Sequence, residues 1–205
     1  MYCSRIRVLS ILISVCVTRL AFAAEPVIEN PLSDFPAGAQ WPSYNKSLDG
    51  QRYSPLTQIN VDNAGDLAEV CRVQVADGGS FQAGLIVIDD VMYATTATDT
   101  LALDPATCKI IWRHTHRRNV AAPFPINRGV AYYAGRLFRG TDDGQLIALD
   151  ARSGTELWAN VVGDPASGEI VSGSPLAWNG LVIIGTAISE LGMRGQVIAY
   201  EAMTG

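Results

Sequence analysis

The sequence predicts an all-β fold, a β-propeller made of four-stranded blades, and three observations support this. A motif ending in Trp occurs twice in full, as ALDPATCKIIW at 102–112 and ALDARSGTELW at 148–158. A third copy, AYEAMTG, begins at residue 199, so the copies start roughly 50 residues apart, which is the spacing of propeller blades. Short apolar runs separated by turn signals fill the intervals, and no helical periodicity of useful length occurs among them.

The first element, residues 1–23, is predicted to be a cleaved secretory signal peptide. Two arginines precede an apolar run over 8–17, and Ala-Phe-Ala at 21–23 supplies small residues for cleavage. The run is too short to span a bilayer. A lipoprotein signal at Cys16 is the alternative, disfavoured by the bulky valine before it. We therefore expect a mature domain over 24–205 that is exported, in a bacterium, to the periplasm.

Composition narrows the class of protein that follows the signal. Hydrophobic residues make up 48% of the chain and charged residues 17%, which is typical of an ordered globular protein. The formal net charge of −5 gives no support for a nucleic-acid partner.

The strands are predicted from apolar runs between turn signals. Asp142-Asp143-Gly144 and Asn179-Gly180 separate such runs and favour the tight turns of β-hairpins. About four strands fall within each repeat. The sequence therefore predicts two complete blades and an incomplete third.

Trp112 and Trp158 are predicted to dock one blade on the next. Each lies at the end of the last strand of its repeat, and Gly154 marks the offset of the partner in the second repeat. A flat indole ring can lie over the bare backbone of a glycine in the adjacent blade. A tryptophan in the core of any β-sandwich is the alternative, but the repetition favours docking.

Cys71 and Cys108, the two cysteines that follow the signal, are predicted to form a disulfide. Cys108 has the offset of Gly154, and Cys71 stands where a closing strand would end in Trp, so both docking partners are replaced together. An oxidising compartment permits such a bond. It would close a loop of about 38 residues and stabilise the fold by roughly 4 kcal/mol on the chain-entropy model. Two unrelated buried thiols are the alternative.

Four stretches resemble the opening blades of the pyrroloquinoline-quinone-dependent alcohol dehydrogenases. They are WPSYNKSLDGQRYSPLTQIN, FQAGLIVIDDVMYATT, NRGVAYY and SELGMRGQVIAYEAMTG, and the resemblance covers about residues 38–205. In that family an eight-bladed propeller holds the quinone and a calcium ion (Ca²⁺) near its axis, and oxidises alcohols or sugars to carbonyls. The resemblance implies about three such blades here, and electron transfer to cytochrome c or a membrane quinone.

The resemblance also implies which residues contact pyrroloquinoline quinone. Gln82 falls where the family has Glu or Gln at the edge of the quinone, and Arg128 of NRG matches the arginine on the quinone oxygens. A permanently charged guanidinium suits a quinone that gains negative charge on reduction. Ser172 replaces a threonine whose hydroxyl donates to a quinone carboxylate. The alternatives are a solvent-facing strand residue for Gln82 and an inter-blade ion pair for Arg128.

Glu190 matches the calcium-ligating glutamate of the family, and its carboxylate is a ligand that calcium prefers. An exposed loop residue is the alternative. The run before it, Ala187, Ile188 and Ser189, stands where many members have a small, glycine-containing run against one quinone face. Ile188 is bulkier than the glycine of that run.

One further departure concerns the substrate, and the position of the catalytic aspartate concerns the activity of this segment. Ala122 and Pro123 replace the adjacent cysteines of the methanol- and ethanol-oxidising members, which leaves sugars, polyols or other alcohols as substrates. The catalytic aspartate of the family belongs several blades further on. No catalytic residue is therefore assigned in this segment, and we expect the segment alone to be inactive.

His114 and His116 in RHTHRR are interpreted as residues of a solvated turn.

A non-enzymatic propeller scaffold, such as an outer-membrane assembly protein, is the alternative function. It would share the docking repeats and lack a central site. The presence of Gln82, Arg128, Ser172 and Glu190 in the family order favours the dehydrogenase.

Overall fold

The chain folds into antiparallel strands. The computed structural model describes residues 40–122, 124–187, 192 and 194–205. The strands are β1 (Ile86–Ile88), β2 (Val91–Thr95), β3 (Asp99–Leu103), β4 (Ile110–Thr115), β5 (Ala131–Tyr133), β6 (Arg136–Gly140), β7 (Gln145–Asp150), β8 (Glu156–Val161), β9 (Leu176–Trp178), β10 (Leu181–Gly185) and β11 (Val197–Glu201). Short 3₁₀ helices lie at Ala64–Asp66 and Pro165–Ser167. In the described ranges, no helix has the length and apolar character needed to cross a membrane.

The strands form three sheets, which confirms the predicted blades. Blade 1 has the order β1-β2-β3-β4 and blade 2 the order β5-β6-β7-β8. Blade 3 contains β9, β10 and β11 within the described residues. Neighbouring strands are antiparallel throughout, so each blade is a meander in which every strand pairs with its neighbours in sequence.

The first hairpin of every blade turns in two residues. These pairs are Asp89-Asp90, Ala134-Gly135 and Asn179-Gly180, and both residues of each pair have positive φ, between 48° and 77°. Two consecutive positive φ angles define the type I′ turn, whose twist matches that of the flanking strands. The Asn-Gly signal therefore predicts the third hairpin correctly, and the other two use less favourable residues at the same place.

β7 is buried on both faces because blade 2 lies between the other two blades. Leu146 and Ala148 pack in a cluster with residues of blade 3, whereas Ile147 and Leu149 pack in a second cluster with residues of blade 1. This accounts for the continuous apolar run of β7, which a strand with one solvated face would not have. Burial of each Leu or Ile contributes about 1.5–3 kcal/mol, so β7 supplies a large share of the apolar stabilisation.

The predicted tryptophan docking is present at both positions. A Cβ atom added to Gly154 would lie 2.5 Å from the ring of Trp112, and one added to Gly205 would lie 3.1 Å from the ring of Trp158. The two indole N–H groups donate to main-chain oxygens of the neighbouring blade, at 3.1 and 3.3 Å respectively. Each blade is thus fastened to the next by the same pair of residue types.

The predicted disulfide is also present. Cys71 and Cys108 are bonded, with their Cα atoms 5.7 Å apart. Cys108 has φ +57°, close to the +73° of Gly154 and the +86° of Gly205. The amides of all three donate to the carbonyl four residues earlier, at 2.8 to 2.9 Å. Cys108 therefore occupies the docking-glycine position of blade 1, and the covalent bond replaces the stacked pair.

The inner strands β1, β5 and β9 all start at the same end of their blades. We call this side of the propeller the hub face. Because successive strands reverse direction, the β2–β3 and β6–β7 turns and the end of β4 lie on this face as well. On the side of β1 away from β2, the main chain of Trp41 pairs with Val87, so the segment before blade 1 runs along the inner edge of that blade.

Candidate functional site

Main-chain hydrogen bonds join the segments that lead into the three inner strands at the hub face. The amide of Gly84 donates to the carbonyl of Arg128 at 3.2 Å, and the amide of Arg128 donates to the carbonyl of Ser172 at 2.9 Å. Gly129 lies so close to this crossing that an added Cβ would be 2.9 Å from the Gly84 oxygen. One residue from each blade is therefore brought to the hub by the backbone itself.

The side chains of Arg128 and Ser172 are in direct contact. The Arg128 Nη1 donates to the Ser172 Oγ at 3.0 Å. Ser172 is fully buried, whereas Arg128 is exposed as a residue. Because the serine oxygen accepts from Arg128, the serine hydrogen can donate to another group. Among the residues that the structure describes, no carboxylate forms an ion pair with Arg128.

Of the other residues predicted to contact the quinone, the structure describes Gln82 and Ala187. Gln82 is exposed, and its Nε2 donates to the Ser80 Oγ at 2.9 Å and not to Arg128. The amide of Ala187 donates at 2.9 Å to the carbonyl of Ile170, two residues before Ser172. Four positions fall outside the described residues, and they are Pro123, Ile188, Ser189 and Glu190.

The part of the chain that is described has no group of three or more His, Cys, Asp or Glu side chains able to hold a metal ion. The predicted calcium ligand, Glu190, lies outside that part. Its role stays a prediction.

A cavity of about 400 Å³ adjoins the guanidinium of Arg128. Its walls include Ser174 and Leu176 of blade 3 and Tyr44 of the segment before blade 1. The Tyr44 ring occupies the space that a side chain at Gly84 would need. The guanidinium of Arg52 lies 5.3 Å from the centre of the same ring. No local pattern predicts Tyr44 at the hub, because it lies 40 residues before Gly84, the residue that its ring contacts.

The donors around this cavity suit an anionic, oxygen-rich ligand. A guanidinium presents several N–H groups in a plane that matches carboxylate and quinone oxygens. Ser172 accepts from this guanidinium and keeps its own hydroxyl hydrogen to donate, whereas the hydroxyl of Ser174 already donates to the Val130 carbonyl at 3.3 Å. Arg128 and Ser172 therefore fit the quinone that the sequence resemblance implies.

A second polar cluster lies between blades 1 and 2 on the hub face. His116 is 7% exposed, and its Nε2 lies 2.8 Å from the Asp143 Oδ1. The interpretation of His116 as a solvated turn residue is therefore wrong. Arg118 donates through Nε and Nη2 to the two oxygens of Asp142, at 2.7 and 2.5 Å, and Asp142 is fully buried.

Asp143 is held ionised by its neighbours. Burial by itself would raise the pKa of Asp143, but hydrogen bonds from Thr141, the Asn119 amide and His116 lower the pKa below its ordinary value. The three bonds measure 2.6, 2.9 and 2.8 Å. A carboxylate in this position can therefore accept from both blades at neutral pH.

Arg139 crosses from blade 2 to blade 1 within the same cluster. Its guanidinium is completely buried, and it donates to the Thr100 Oγ1 and the Thr96 carbonyl, both at 3.1 Å, and to the Ala97 carbonyl. Burial lowers the pKa of Arg139 to about 10, although the charge of Asp142 opposes this. Arg139 remains a cation at neutral pH and links the two blades.

His114 also differs from the interpretation made for it. It lies on β4, and its Nε2 is buried 3.7 Å from the Glu156 Oε2 of blade 2. Burial lowers the pKa of His114 below its ordinary value of 6.5, and the charge of Glu156 opposes this only in part. The side chain is therefore packed between blades and is not solvated.

Comparison with known proteins agrees with this architecture. A family model described as the β-propeller domain of PQQ glucose/ethanol/alcohol dehydrogenases matches residues 41–205. The dehydrogenase subunit of the alcohol dehydrogenase (quinone) of Gluconacetobacter polyoxogenes is 40% identical over 80% of this chain and 24% of its own length. The chain thus spans about a quarter of the length of the curated relatives that it matches.

Two solved structures share the fold. A europium-containing methanol dehydrogenase superposes with a TM-score of 0.77 and 36% identity, over 85% of this chain and 31% of that one. The quinohemoprotein alcohol dehydrogenase of Comamonas testosteroni superposes with a TM-score of 0.70 and 32% identity, over 81% and 26%. With the blade repeats and the family match, these findings establish that the chain belongs to the PQQ-dependent glucose/ethanol/alcohol dehydrogenase β-propeller family.

Proposed function

We propose that this chain is the N-terminal part of a periplasmic dehydrogenase that oxidises alcohols or sugars with pyrroloquinoline quinone and calcium. The observation that carries the proposal is the contact between Arg128 and Ser172 beside the hub cavity. Two polar residues from different blades meet there, at the positions that the family resemblance assigns to quinone contacts.

The residues of this chain would bind and orient the cofactor. Pyrroloquinoline quinone, when bound, supplies a two-electron acceptor. Arg128 would donate to the quinone oxygens and stabilise negative charge on them. Ser172 would donate its hydroxyl hydrogen to a carboxylate, and Gln82 would contact the quinone edge after leaving Ser80. Ala187 and the two residues after it would line one face.

The metal is proposed to be calcium, with Glu190 as one of its ligands. A carboxylate suits calcium and also suits the larger trivalent lanthanides, since both are hard cations that prefer oxygen. A lanthanide-dependent methanol dehydrogenase of Methylacidiphilum fumariolicum is 36% identical over 81% of this chain. Loading the metal-free protein with calcium or with a lanthanide, in parallel, therefore belongs in any test of metal identity.

The proposed substrates are sugars, polyols or alcohols other than those of the cysteine-ring subgroups. Ala122 stands at the first of the two cysteine positions. Electrons would pass to cytochrome c or to a membrane quinone. Family membership favours the dehydrogenase over the non-enzymatic scaffold, because a scaffold would have no ligand for a cationic donor at the hub to bind.

Quinone titration of the full-length protein with Arg128→Gln tests the proposal. Hydrogen bonds to charged groups contribute about 1.5–3 kcal/mol, so the variant should bind pyrroloquinoline quinone roughly 10- to 100-fold more weakly. The matched control is Arg152→Gln, since Arg152 is an exposed arginine beyond the end of β7, on the face opposite the hub. Equal quinone affinity in the wild type and in Arg128→Gln would contradict the proposal.

A further inference from the structure

The connection between blades 1 and 2 is fastened at its start by ion pairs to two buried carboxylates, Asp142 and Asp143. This connection, residues 116–130, leaves β4 and carries Arg128 to the hub. Arg118 places two N–H groups on the oxygens of Asp142, which has no solvent exposure. The adjacent Asp143 accepts from His116 and from the Asn119 amide, at 2.8 and 2.9 Å. Attachments at residues 116, 118 and 119 thus bind this part of the connection to the β6–β7 turn.

The same hairpin of blade 2 also fastens the end of the connection. The Asn127 Nδ2 donates to the carbonyl of Gly140 at 2.8 Å, and the Asn127 Oδ1 accepts from the Gly129 amide at 2.9 Å. Asn127 is buried, with 2% of its surface exposed. Arg128 therefore follows a residue that is fixed to β6, and it lies ten residues after Arg118, which is fixed to Asp142.

The next connection shows that blade packing does not require such charges. Residues 162–175 join blades 2 and 3, and main-chain bonds fasten them to the β6–β7 hairpin. The amides of Val162 and Gly163 donate to the Gly144 carbonyl at 2.8 and 3.0 Å, and the amide of Val171 donates to the Thr141 carbonyl at 2.9 Å. Within the described residues, no ion pair fastens this second connection.

We propose that Arg118 and Asp142 are positioning residues for the quinone site. They hold the connection so that the guanidinium of Arg128 reaches the hub cavity beside Ser172, and they do not touch the quinone themselves. Asp142 is fully buried, so moving the connection away would leave its charge without the Arg118 guanidinium, which disfavours other positions of the connection. This inference rests on the proposed function, since it concerns the residue that would bind the quinone.

The primary test compares two arginine variants of the full-length protein. Arg118→Gln removes the pair with Asp142, and Arg113→Gln removes the chemically similar pair with Asp99, which lies within blade 1. We expect about tenfold weaker binding of pyrroloquinoline quinone in Arg118→Gln and less than a twofold change in Arg113→Gln, because a small displacement of a donor greatly weakens its contribution. Equal losses in the two variants would overturn the proposal.

A double-mutant cycle separates positioning from a general loss of structure. If Arg118 acts through Arg128, then Arg118→Gln should change quinone affinity less than twofold when Arg128→Gln is already present. The same tenfold loss in both backgrounds would show that Arg118 does not act through Arg128. Asp142→Asn, which preserves the shape of the side chain, repeats the cycle from the other partner should Arg118→Gln fail to fold.

Amide hydrogen exchange supplies a readout that needs no quinone. Arg118→Gln should raise exchange at the amides of Asn119 and Arg128 about tenfold and leave β7 unchanged, as expected of local opening. Unchanged exchange at both amides would overturn the proposal, as would faster exchange with unaltered quinone affinity. Wild-type protein that binds no quinone would overturn the proposed function itself, whereas tight binding with equal affinity in Arg118→Gln overturns only the positioning role.

Discussion

The placement of Arg128 depends on its main chain as much as on its guanidinium. Its carbonyl accepts from Gly84 and its amide donates to Ser172, so the backbone at this residue is shared by three blades. The resemblance predicts that Arg128 and Ser172 contact the quinone, and the structure places the two side chains in contact with each other. The sequence alone could not single out Asp142, because an Asp-Asp-Gly turn has the same pattern whether its carboxylates face solvent or pair with an arginine of the next connection.

The position of His114 predicts how stability changes with pH. Its pKa is lowered in the folded state by burial, so the folded protein favours the neutral ring. The contribution of this residue to stability is therefore complete above pH 6.5, the ordinary value, and is lost as the pH falls below it. His114→Gln should lose less free energy of unfolding between pH 7.5 and 5.5 than the wild type does, as measured by urea denaturation.

The slope of the free energy of unfolding against pH tests the role of His114. Glutamine gains no proton in this range, so this slope should differ between the wild type and His114→Gln below pH 6.5 and be equal above it. Identical slopes across the whole range would mean that His114 does not titrate differently in the folded and unfolded states.

At the scale of the element, the docking repeat explains why the sequence predicts the blades so well. Both members of each pair lie at fixed offsets within about 50 residues, so the pattern is visible without a structure. The continuous apolar run of β7 was visible too, but its cause was not, because burial on two faces depends on neighbours on either side. His116 was misinterpreted for the same reason: its burial depends on blade 2.

Gly154 should be sensitive to the smallest substitution. Gly154→Ala places a methyl group 2.5 Å from the Trp112 ring and requires an alanine at φ +73°, so we expect a loss of about 2–4 kcal/mol in the free energy of unfolding. Gly180→Ala is the control, since Gly180 has φ +76° with open space around it. It should lose about 1–2 kcal/mol, the backbone cost alone. Equal losses in urea denaturation would refute the docking account.

The disulfide should be replaceable by a docking pair of Trp and Gly, which stands at the equivalent positions in the other blades. Changing both Cys71 and Cys108 to Ser should cost about 2–5 kcal/mol. The double variant Cys71→Trp with Cys108→Gly should be more stable than the double serine variant, because it restores indole stacking and places glycine at φ +57°. Thermal unfolding of the two variants checks this. A Trp/Gly variant that is no more stable than the Ser/Ser variant would contradict the equivalence of the two pairs.

At the scale of the whole molecule, the hub is assembled from parts that no local pattern connects. Tyr44, Gly84, Arg128 and Ser172 meet there, one from the segment before blade 1 and one from each blade. The repeat predicts that the blades exist and in which order they pack, because each docking contact joins neighbours in sequence. The resemblance predicted Arg128 and Ser172 at the hub, whereas the positions of Tyr44 and of the ion pair between Arg118 and Asp142 are visible only in the folded chain.

The central claim is that the hub binds pyrroloquinoline quinone and a metal ion. A crystal structure of the full-length protein, grown with the quinone and calcium, tests it most directly. The account predicts the quinone on the propeller axis, with the Arg128 guanidinium within hydrogen-bond distance of its oxygens and the Glu190 carboxylate on the metal. A structure in which the quinone is bound elsewhere, or in which Arg128 and Glu190 point away from it, would contradict the account.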